Sequence, residues 1–175
     1  MGDWQDETPE QEQARIRAAE RAHDEHHRRY ATNFIPLASL GTEALKAGAL
    51  INGGSAAATL AFVSQTYGRD QSLALDLVWA LATFGLGLFL AASATGYSYF
   101  SQLLYGRALA RHELSWECHP FVRHTPSSKR CERWGLLFQA SAIINSTTAY
   151  LLAFAGGWLV IAALSAAASR HVPRV

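Results

Sequence analysis

The 36 residues from Trp134 to Ser169, WGLLFQASAIINSTTAYLLAFAGGWLVIAALSAAAS, contain no Asp, Glu, Lys or Arg. Two further stretches lack these four residue types, 22 residues at 47–68 and 30 residues at 77–106. A helix needs about 20 residues to cross the hydrocarbon core of a bilayer, which is about 30 Å thick. The alternation of apolar and polar residues that a membrane β-barrel requires is absent. The three stretches therefore predict an all-α integral membrane protein with three transmembrane helices.

The basic residues around these stretches are distributed unevenly. Segment 1–36 holds five arginines and segment 106–133 holds six Lys and Arg residues, whereas the opposite side holds Arg69, Arg170 and Arg174. Short cytoplasmic segments of membrane proteins are enriched in Lys and Arg. The asymmetry predicts a multi-pass protein with its N-terminus and long loop in the cytoplasm and its C-terminus on the exterior side.

Composition divides the chain into an arm, a membrane domain and a tail. The cytoplasmic arm, residues 1–36, is predicted to be mostly helical because good helix formers dominate it, with Thr8 as N-cap and Pro9 in the first helical position. Asp70 or Ser72 is predicted to cap the second membrane helix. The membrane domain covers 37–169, with spans at about 44–67, 73–105 and 134–168 and a basic cytoplasmic loop at 106–133, and an exterior tail follows at 170–175.

The first and third spans each carry polar residues on one helix face. These residues, with two adjacent glycines, are Asn52, Gly53, Gly54, Ser55 and Thr59 in the first span and Ser141, Asn145 and Thr148 in the third. In lipid, helices associate through close packing of small residues and through interhelical hydrogen bonds. The first interpretation is therefore helix packing. The alternative is a polar lining, in which several copies of the chain turn these faces toward a common pore.

One stretch of the first span carries a resemblance to other proteins. Residues 50–62, LINGGSAAATLAF, resemble small bacterial three-span membrane proteins in which an Asn-Gly-Gly-Ala run is followed by an Ala- and Leu-rich half. This chain has Ser55 where that pattern has Ala. The resemblance implies a three-span topology and a bacterial source, and hence the bacterial inner membrane, and it implies no activity.

Histidines and cysteines outside the spans suggest two metal sites. His23 and His27, four residues apart, share one face of the predicted arm helix and would be able to share a zinc ion. The basic loop offers four ligands within 14 residues, namely Cys118, His119, His124 and Cys131. Their spacing matches no standard zinc motif. The alternatives are a solvated polar face in the arm, and either reduced thiols or a redox pair in the loop.

Several classes of function find no support in the sequence. A net charge of +1 gives no reason to expect a nucleic-acid partner. No ionisable residue lies in the middle of any span, where a proton pump, a coupled transporter or a voltage sensor needs one. Nothing matches a phosphate-binding loop, a dinucleotide fingerprint or a nucleophile elbow. The sequence therefore predicts no enzymatic activity and no cofactor.

These patterns together predict a non-catalytic membrane protein. It would associate with itself or with other membrane subunits through the small and polar residues of its spans, as an accessory subunit or scaffold. The alternative is a small homo-oligomeric channel lined by the faces of Asn52 and Asn145. A metal-dependent membrane protein that uses the histidine or cysteine groups is the third candidate.

Overall fold

A computed structural model describes residues 7–29, 35–117 and 119–170. Within these ranges the chain forms four helices and one two-stranded sheet, in the order α1 (Pro9–Arg29), α2 (Ile35–Thr66), α3 (Gln71–Leu109), β1 (Glu113–Leu114), β2 (Val122–Arg123) and α4 (Pro126–Arg170). Three helical segments are long and apolar enough to cross a membrane, Gly41–Thr66, Gln71–Leu109 and Pro126–Arg170. This confirms the three apolar helices that the charge-free stretches predict. The predicted tail beyond Arg170 lies outside the described residues.

Helices α3 and α4 extend into the segment 106–133, which the sequence analysis assigned to a loop. Helix α3 continues to Leu109 and α4 already begins at Pro126. The early start of α4 follows from its cap, since the Ser128 amide donates to Thr125 Oγ1 at 3.1 Å. Pro126 then occupies the first helical position, where its missing N–H removes no hydrogen bond. The segment outside helices is therefore 110–125, and it contains the β-hairpin.

Two other helix starts carry the caps that the sequence indicates. Thr8 and Gln11 form a reciprocal capping box at α1, with the Thr8 amide donating to Gln11 Oε1 at 2.9 Å and the Gln11 amide donating to Thr8 Oγ1 at 3.4 Å. At α3 the cap is Asp70, whose Oδ1 accepts from the Leu73 amide at 3.0 Å and from the Ser72 hydroxyl at 2.7 Å. These bonds satisfy amides that a helix start otherwise leaves unpaired.

The chain groups into two compact units. Unit 1 comprises Met1–Leu40 and Ser101–Leu136, and unit 2 comprises Gly41–Phe100 and Leu137–Val175. Unit 1 therefore contains α1, the hairpin and the residues of α3 and α4 next to it. Unit 2 contains most of the three long apolar helices.

The interior of unit 2 is built largely from small side chains. Its buried hydrophobic residues are Ala74, Ala80, Ala91, Ala94, Ala142, Ala149, Ala163 and Ala167, together with Leu45, Leu73, Leu77 and Phe84. Large apolar side chains point outward instead, with Phe154 83% exposed and Trp79 72% exposed. A soluble protein rarely exposes apolar surface on this scale. Small interior residues let helix backbones approach closely, which is how helices pack in lipid.

One close approach in unit 2 depends on a glycine of α4. A Cβ atom placed on Gly156 would lie 2.7 Å from the Phe84 ring of α3, too close for any real pair of carbon atoms. A Cβ on the adjacent Gly157 would meet no atom within 4 Å. The two glycines therefore differ in what an added methyl group would do.

We expect Gly156→Ala to destabilise the protein, because the buried Phe84 ring must shift to admit the methyl group, and overpacking of this kind costs about 1–3 kcal/mol. The matched control Gly157→Ala should change the free energy of unfolding by less, with a gain of up to about 1 kcal/mol from the better helix former. Titration of detergent-solubilised protein with sodium dodecyl sulfate, followed by circular dichroism, measures both. Equal effects of the two substitutions would contradict this packing.

The cap at Asp70 predicts a specific pH dependence. The hydrogen bonds from the Leu73 amide and the Ser72 hydroxyl hold the pKa of the Asp70 carboxyl below its ordinary value. A group whose pKa is lowered by folding stabilises the folded state above its unfolded pKa of about 3.9, and this contribution is lost as the pH falls through the folded-state pKa. Asp70→Asn keeps a capping side chain without a titrating group. The difference in thermal unfolding midpoint between wild type and Asp70→Asn should therefore shrink on acidification, and a constant difference would refute this account.

Candidate functional sites

Asn52 of α2 is fully buried in unit 2, with 0% of its surface exposed. Its Nδ2 donates to the Gly48 carbonyl of the same helix at 3.0 Å and to the Ala149 carbonyl of α4 at 3.1 Å. The second bond connects two of the apolar helices directly. Asn52 therefore holds α2 against α4 within a single chain.

The other amide atom of Asn52 faces α3. A Cβ on Gly87 would lie 2.1 Å from Asn52 Oδ1, so the backbone of α3 passes directly beside this oxygen. Asn52 Oδ1 is buried and has no N–H or O–H partner among the described residues. Only a residue without a side chain leaves room for the amide at position 87. The contact of α2 with both α3 and α4 thus centres on one asparagine and one glycine.

The remaining polar residues of the spans are placed differently. The hydroxyls of Ser141 and Thr148 donate within α4 to the carbonyls of Leu137 and Ile144, at 3.0 Å and 2.8 Å. Bonds of this kind satisfy a hydroxyl inside its own helix, so these two residues need no partner. The other predicted positions differ in burial: Gly54 is exposed, Ser55 and Asn145 are half-buried, and Thr59 is buried. A Cβ placed on Gly53 would lie 3.6 Å from the Leu88 side chain. The burial of Asn52 inside one chain favours helix packing over pore lining.

In unit 1, helix α1 is bonded to the hairpin. His23 Nε2 lies 3.0 Å from the Phe121 carbonyl oxygen, and the His23 ring packs edge-on against Trp116 at 4.6 Å between centroids. Arg15 donates to the Trp116 carbonyl. His23 is therefore buried and bonded to the hairpin, whereas its predicted zinc-sharing partner His27 is exposed.

The four loop residues considered as metal ligands do not form one group. His119 is exposed, with its ring 5.8 Å from that of Phe121. Cys131 is buried, and its Sγ accepts from Arg111 Nη1 at 3.2 Å. Cys118 lies outside the described residues. His124 belongs to a different cluster, which the sequence analysis did not predict.

That cluster forms at the open end of the β-hairpin. Strands β1 and β2 pair antiparallel, with Glu113 opposite Arg123 and Leu114 opposite Val122. The next pair in the same register is His112 and His124, and their ring centroids lie 4.4 Å apart. Glu132, one and a half turns into α4, faces both rings, with Oε1 at 3.4 Å from His112 Nε2 and 3.2 Å from His124 Nδ1.

His26 of α1 supplies a third imidazole, next to His112. His26 Nε2 lies 3.2 Å from His112 Nδ1. Partial burial, and then the neighbouring His112 and His27, lower the pKa of His26. In the tautomer of His112 that carries its proton on Nδ1, this nitrogen is able to donate a hydrogen bond to His26 Nε2. His112 then presents the lone pair of its Nε2 toward Glu132.

Two glycines of α3 test the contact at Asn52. Gly87→Ala would drive a methyl group into the buried Asn52 amide, and we expect it to destabilise the protein by about 1–3 kcal/mol. The control Gly85→Ala lies in the same helix, where a Cβ would meet no atom within 4 Å. It should leave the stability unchanged or raise it by up to about 1 kcal/mol. Titration with sodium dodecyl sulfate compares the two variants, and a stable Gly87→Ala would show that α3 does not approach Asn52 this closely.

Asn52 with Gly87, and the cluster of His26, His112, His124 and Glu132, are two polar arrangements with different chemistry in the described part of the chain. The first lies in unit 2 and the second in unit 1. The first joins helices, and the second offers nitrogen and oxygen atoms to a cation. The chain matches no protein-family model, no curated protein and no solved structure.

Proposed function

We propose that the protein is a non-catalytic integral membrane protein of the bacterial inner membrane, which assembles with its own copies or with other membrane subunits as an accessory subunit or scaffold. The observation that carries the proposal is the arrangement of side chains in unit 2. Its helices pack through alanines and glycines and turn Leu50, Phe154 and Trp158 outward, each more than 70% exposed. Such a surface is stable in lipid and would aggregate in water.

The charged residues near one end of unit 2 also suit a membrane protein. Asp76 of α3 and Arg170 of α4 form an ion pair at 3.1 Å, and Arg170 also donates to the Ser72 hydroxyl. Charges close to a bilayer are tolerated when they pair with each other and lie near helix ends. This pairing therefore supports insertion of α3 and α4 with residues 72–76 and 170 near one membrane surface.

The basic residues support one orientation. All eleven Lys and Arg residues that the sequence analysis assigned to the cytoplasm, in segments 1–36 and 106–133, belong to unit 1. Lys46, Arg69 and Arg170 belong to unit 2. Because Lys and Arg are retained on the cytoplasmic side, this supports a cytoplasmic unit 1, with the N-terminus inside and the C-terminus outside.

Small residues on the outer face of α2 support assembly. Gly54, Ala58 and Ala61 are exposed and follow the spacing i, i+4 and i+7, which aligns them on one helix face. A Cβ on Gly54 would meet no atom within 4 Å, so the chain itself leaves this face uncovered. Faces of this small-xxx-small type let a second membrane helix approach. We assign the assembly contact to this face, while Asn52 serves the packing inside each chain.

The proposal predicts that a bulky residue at position 54 weakens assembly. The protein, extracted gently with its lipids, should have the native mass of a discrete complex larger than one chain. Gly54→Leu should shift that mass toward the single chain, because the larger side chain keeps a second helix away. The control Leu60→Phe adds bulk to another exposed side of α2 and should leave the complex intact.

Two outcomes would contradict the proposal. Wild-type protein that remains a single chain in lipid would refute assembly with its own copies. An unchanged complex in Gly54→Leu would remove the outer face of α2 as the contact. In both experiments circular dichroism should show the same helix content as the wild type, so that a loss of assembly is not a loss of folding.

A further inference from the structure

We propose that His112, His124 and Glu132 bind one divalent transition-metal ion, with zinc as the expected ion, and that His26 orients His112 for this role. The site would hold the two ends of the hairpin against α4. The inference is independent of the proposed membrane assembly, since all four residues lie in unit 1.

The three ligand atoms already converge on one point. One nitrogen of each histidine and one carboxylate oxygen of Glu132 all lie within 4.8 Å of one another. The antiparallel register places His112 and His124 opposite each other, so their proximity is a property of the hairpin backbone. The register continues past the two histidines, where Thr125 Oγ1 donates to the Arg111 carbonyl at 2.9 Å. The two histidines therefore lie between the strand pairs on one side and the bond between Thr125 and Arg111 on the other.

The chemistry of the three groups suits a cation between them. His112 Nε2 and His124 Nδ1 both face the same oxygen, Glu132 Oε1, at 3.4 Å and 3.2 Å. Imidazole lone pairs and a carboxylate repel one another unless a proton or a metal ion lies between them. Two imidazole nitrogens and one carboxylate oxygen are ligands that zinc accepts at about 2.0–2.2 Å. The same set with open positions also suits iron(II), so zinc and iron(II) are both candidate ions for this site.

Neighbouring side chains hold two of the three ligands in place. A metal-bound histidine usually bonds through its other ring nitrogen to an acceptor that fixes its tautomer and ring orientation. His26 Nε2, 3.2 Å from His112 Nδ1, is placed to accept that proton. The buried Ser128 hydroxyl donates to Glu132 Oε1 at 3.5 Å, one turn earlier on α4. The cluster thus has both a ligand set and supporting residues around it.

The burial of the ligands leaves the site open on one side. The His112 side chain is 7% exposed, Glu132 is 34% exposed and His124 is 53% exposed. A metal ion would therefore enter from the side of His124 and keep a position for water or another ligand. The three protein ligands come from the residue before β1, the residue after β2 and α4, so a bound metal ion would join both ends of the hairpin to α4.

Metal content and affinity test the proposal directly. Full-length protein in lipid nanodiscs, purified without a polyhistidine tag, is dialysed against Zn²⁺, Co²⁺ or Fe²⁺, and bound metal is measured by inductively coupled plasma mass spectrometry. We expect one Zn²⁺ per chain, with Zn²⁺ bound more tightly than Fe²⁺. His124→Ala and Glu132→Gln should each raise the dissociation constant about 100-fold or more, since each removes one of three ligands. His26→Ala should raise it about 10- to 100-fold, the usual effect of losing a residue that orients a ligand.

A matched control separates this site from its rivals. His27 is an exposed histidine that directly follows His26 in α1. His27→Ala should leave the dissociation constant for Zn²⁺ within about threefold of wild type, because His27 contributes no ligand. Circular dichroism of each variant should match wild type, and X-ray absorption of the Zn²⁺ form should show nitrogen and oxygen neighbours at about 2.0–2.2 Å.

Three results would overturn the proposal. The first is wild-type protein that binds no stoichiometric Zn²⁺, Co²⁺ or Fe²⁺, which would leave ring N–H groups of the histidines as the partners of Glu132. The second is a loss of Zn²⁺ in His27→Ala as large as in His124→Ala, which would move the site to the exposed face of α1. The third is a sulfur neighbour at about 2.3 Å, which would place the metal on the cysteines instead.

Discussion

The absence of a hydrophobic force between helices in lipid is the constraint on which unit 2 depends as the proposed membrane domain. In water, large apolar side chains between helices would supply the attraction, whereas in a bilayer those side chains gain nothing by leaving the lipid. Hydrogen bonds accordingly join the helices of unit 2, from the Asn52 amide to the Ala149 carbonyl and from the Tyr150 hydroxyl to the Ala44 carbonyl. Alanines and glycines around these contacts bring the backbones close enough for dispersion forces to act over the length of the helices.

The polar residues of the spans divide according to the same constraint. The Asn52 amide carries two donors and reaches beyond its own helix, so it forms the bond to α4. The hydroxyls of Ser141 and Thr148 are short and bond back to their own helix. Residues that look equivalent in the sequence thus serve different purposes because their side chains differ in reach.

Much of the fold was predictable because it follows from composition and local chemistry. The exclusion of charge over stretches longer than 20 residues is a requirement of the bilayer, and it predicts α2, α3 and α4. The cap at Asp70 depends on residues within three positions, so it is also visible in the sequence. The start of α4 at Pro126 was missed, because a proline beside two serines is equally typical of a turn and of a first helical turn capped by Thr125.

The histidine cluster was not predictable by the same means. Its residues come from the hairpin, α4 and α1, and the spacing between them depends on which residues pair across the strands. A search for short spacings favours Cys118 and His119, which are adjacent in the sequence, but Cys118 lies outside the described residues and His119 is exposed and apart from the cluster. One feature of the sequence is consistent with the cluster: in the observed register, His112 and His124 lie at equal sequence distances on the two sides of the turn. Strands of two residues are too short for sequence patterns to reveal that register.

The contact between Asn52 and Gly87 also limits how this sequence can change over time. The two residues lie on different helices, 35 positions apart, yet they share one small volume in which the amide fills the space that a side chain at position 87 would need. A larger residue at either position is compatible with the bundle only if the other position changes with it. We therefore expect the two positions to covary, so that related chains keep both residues or replace both together.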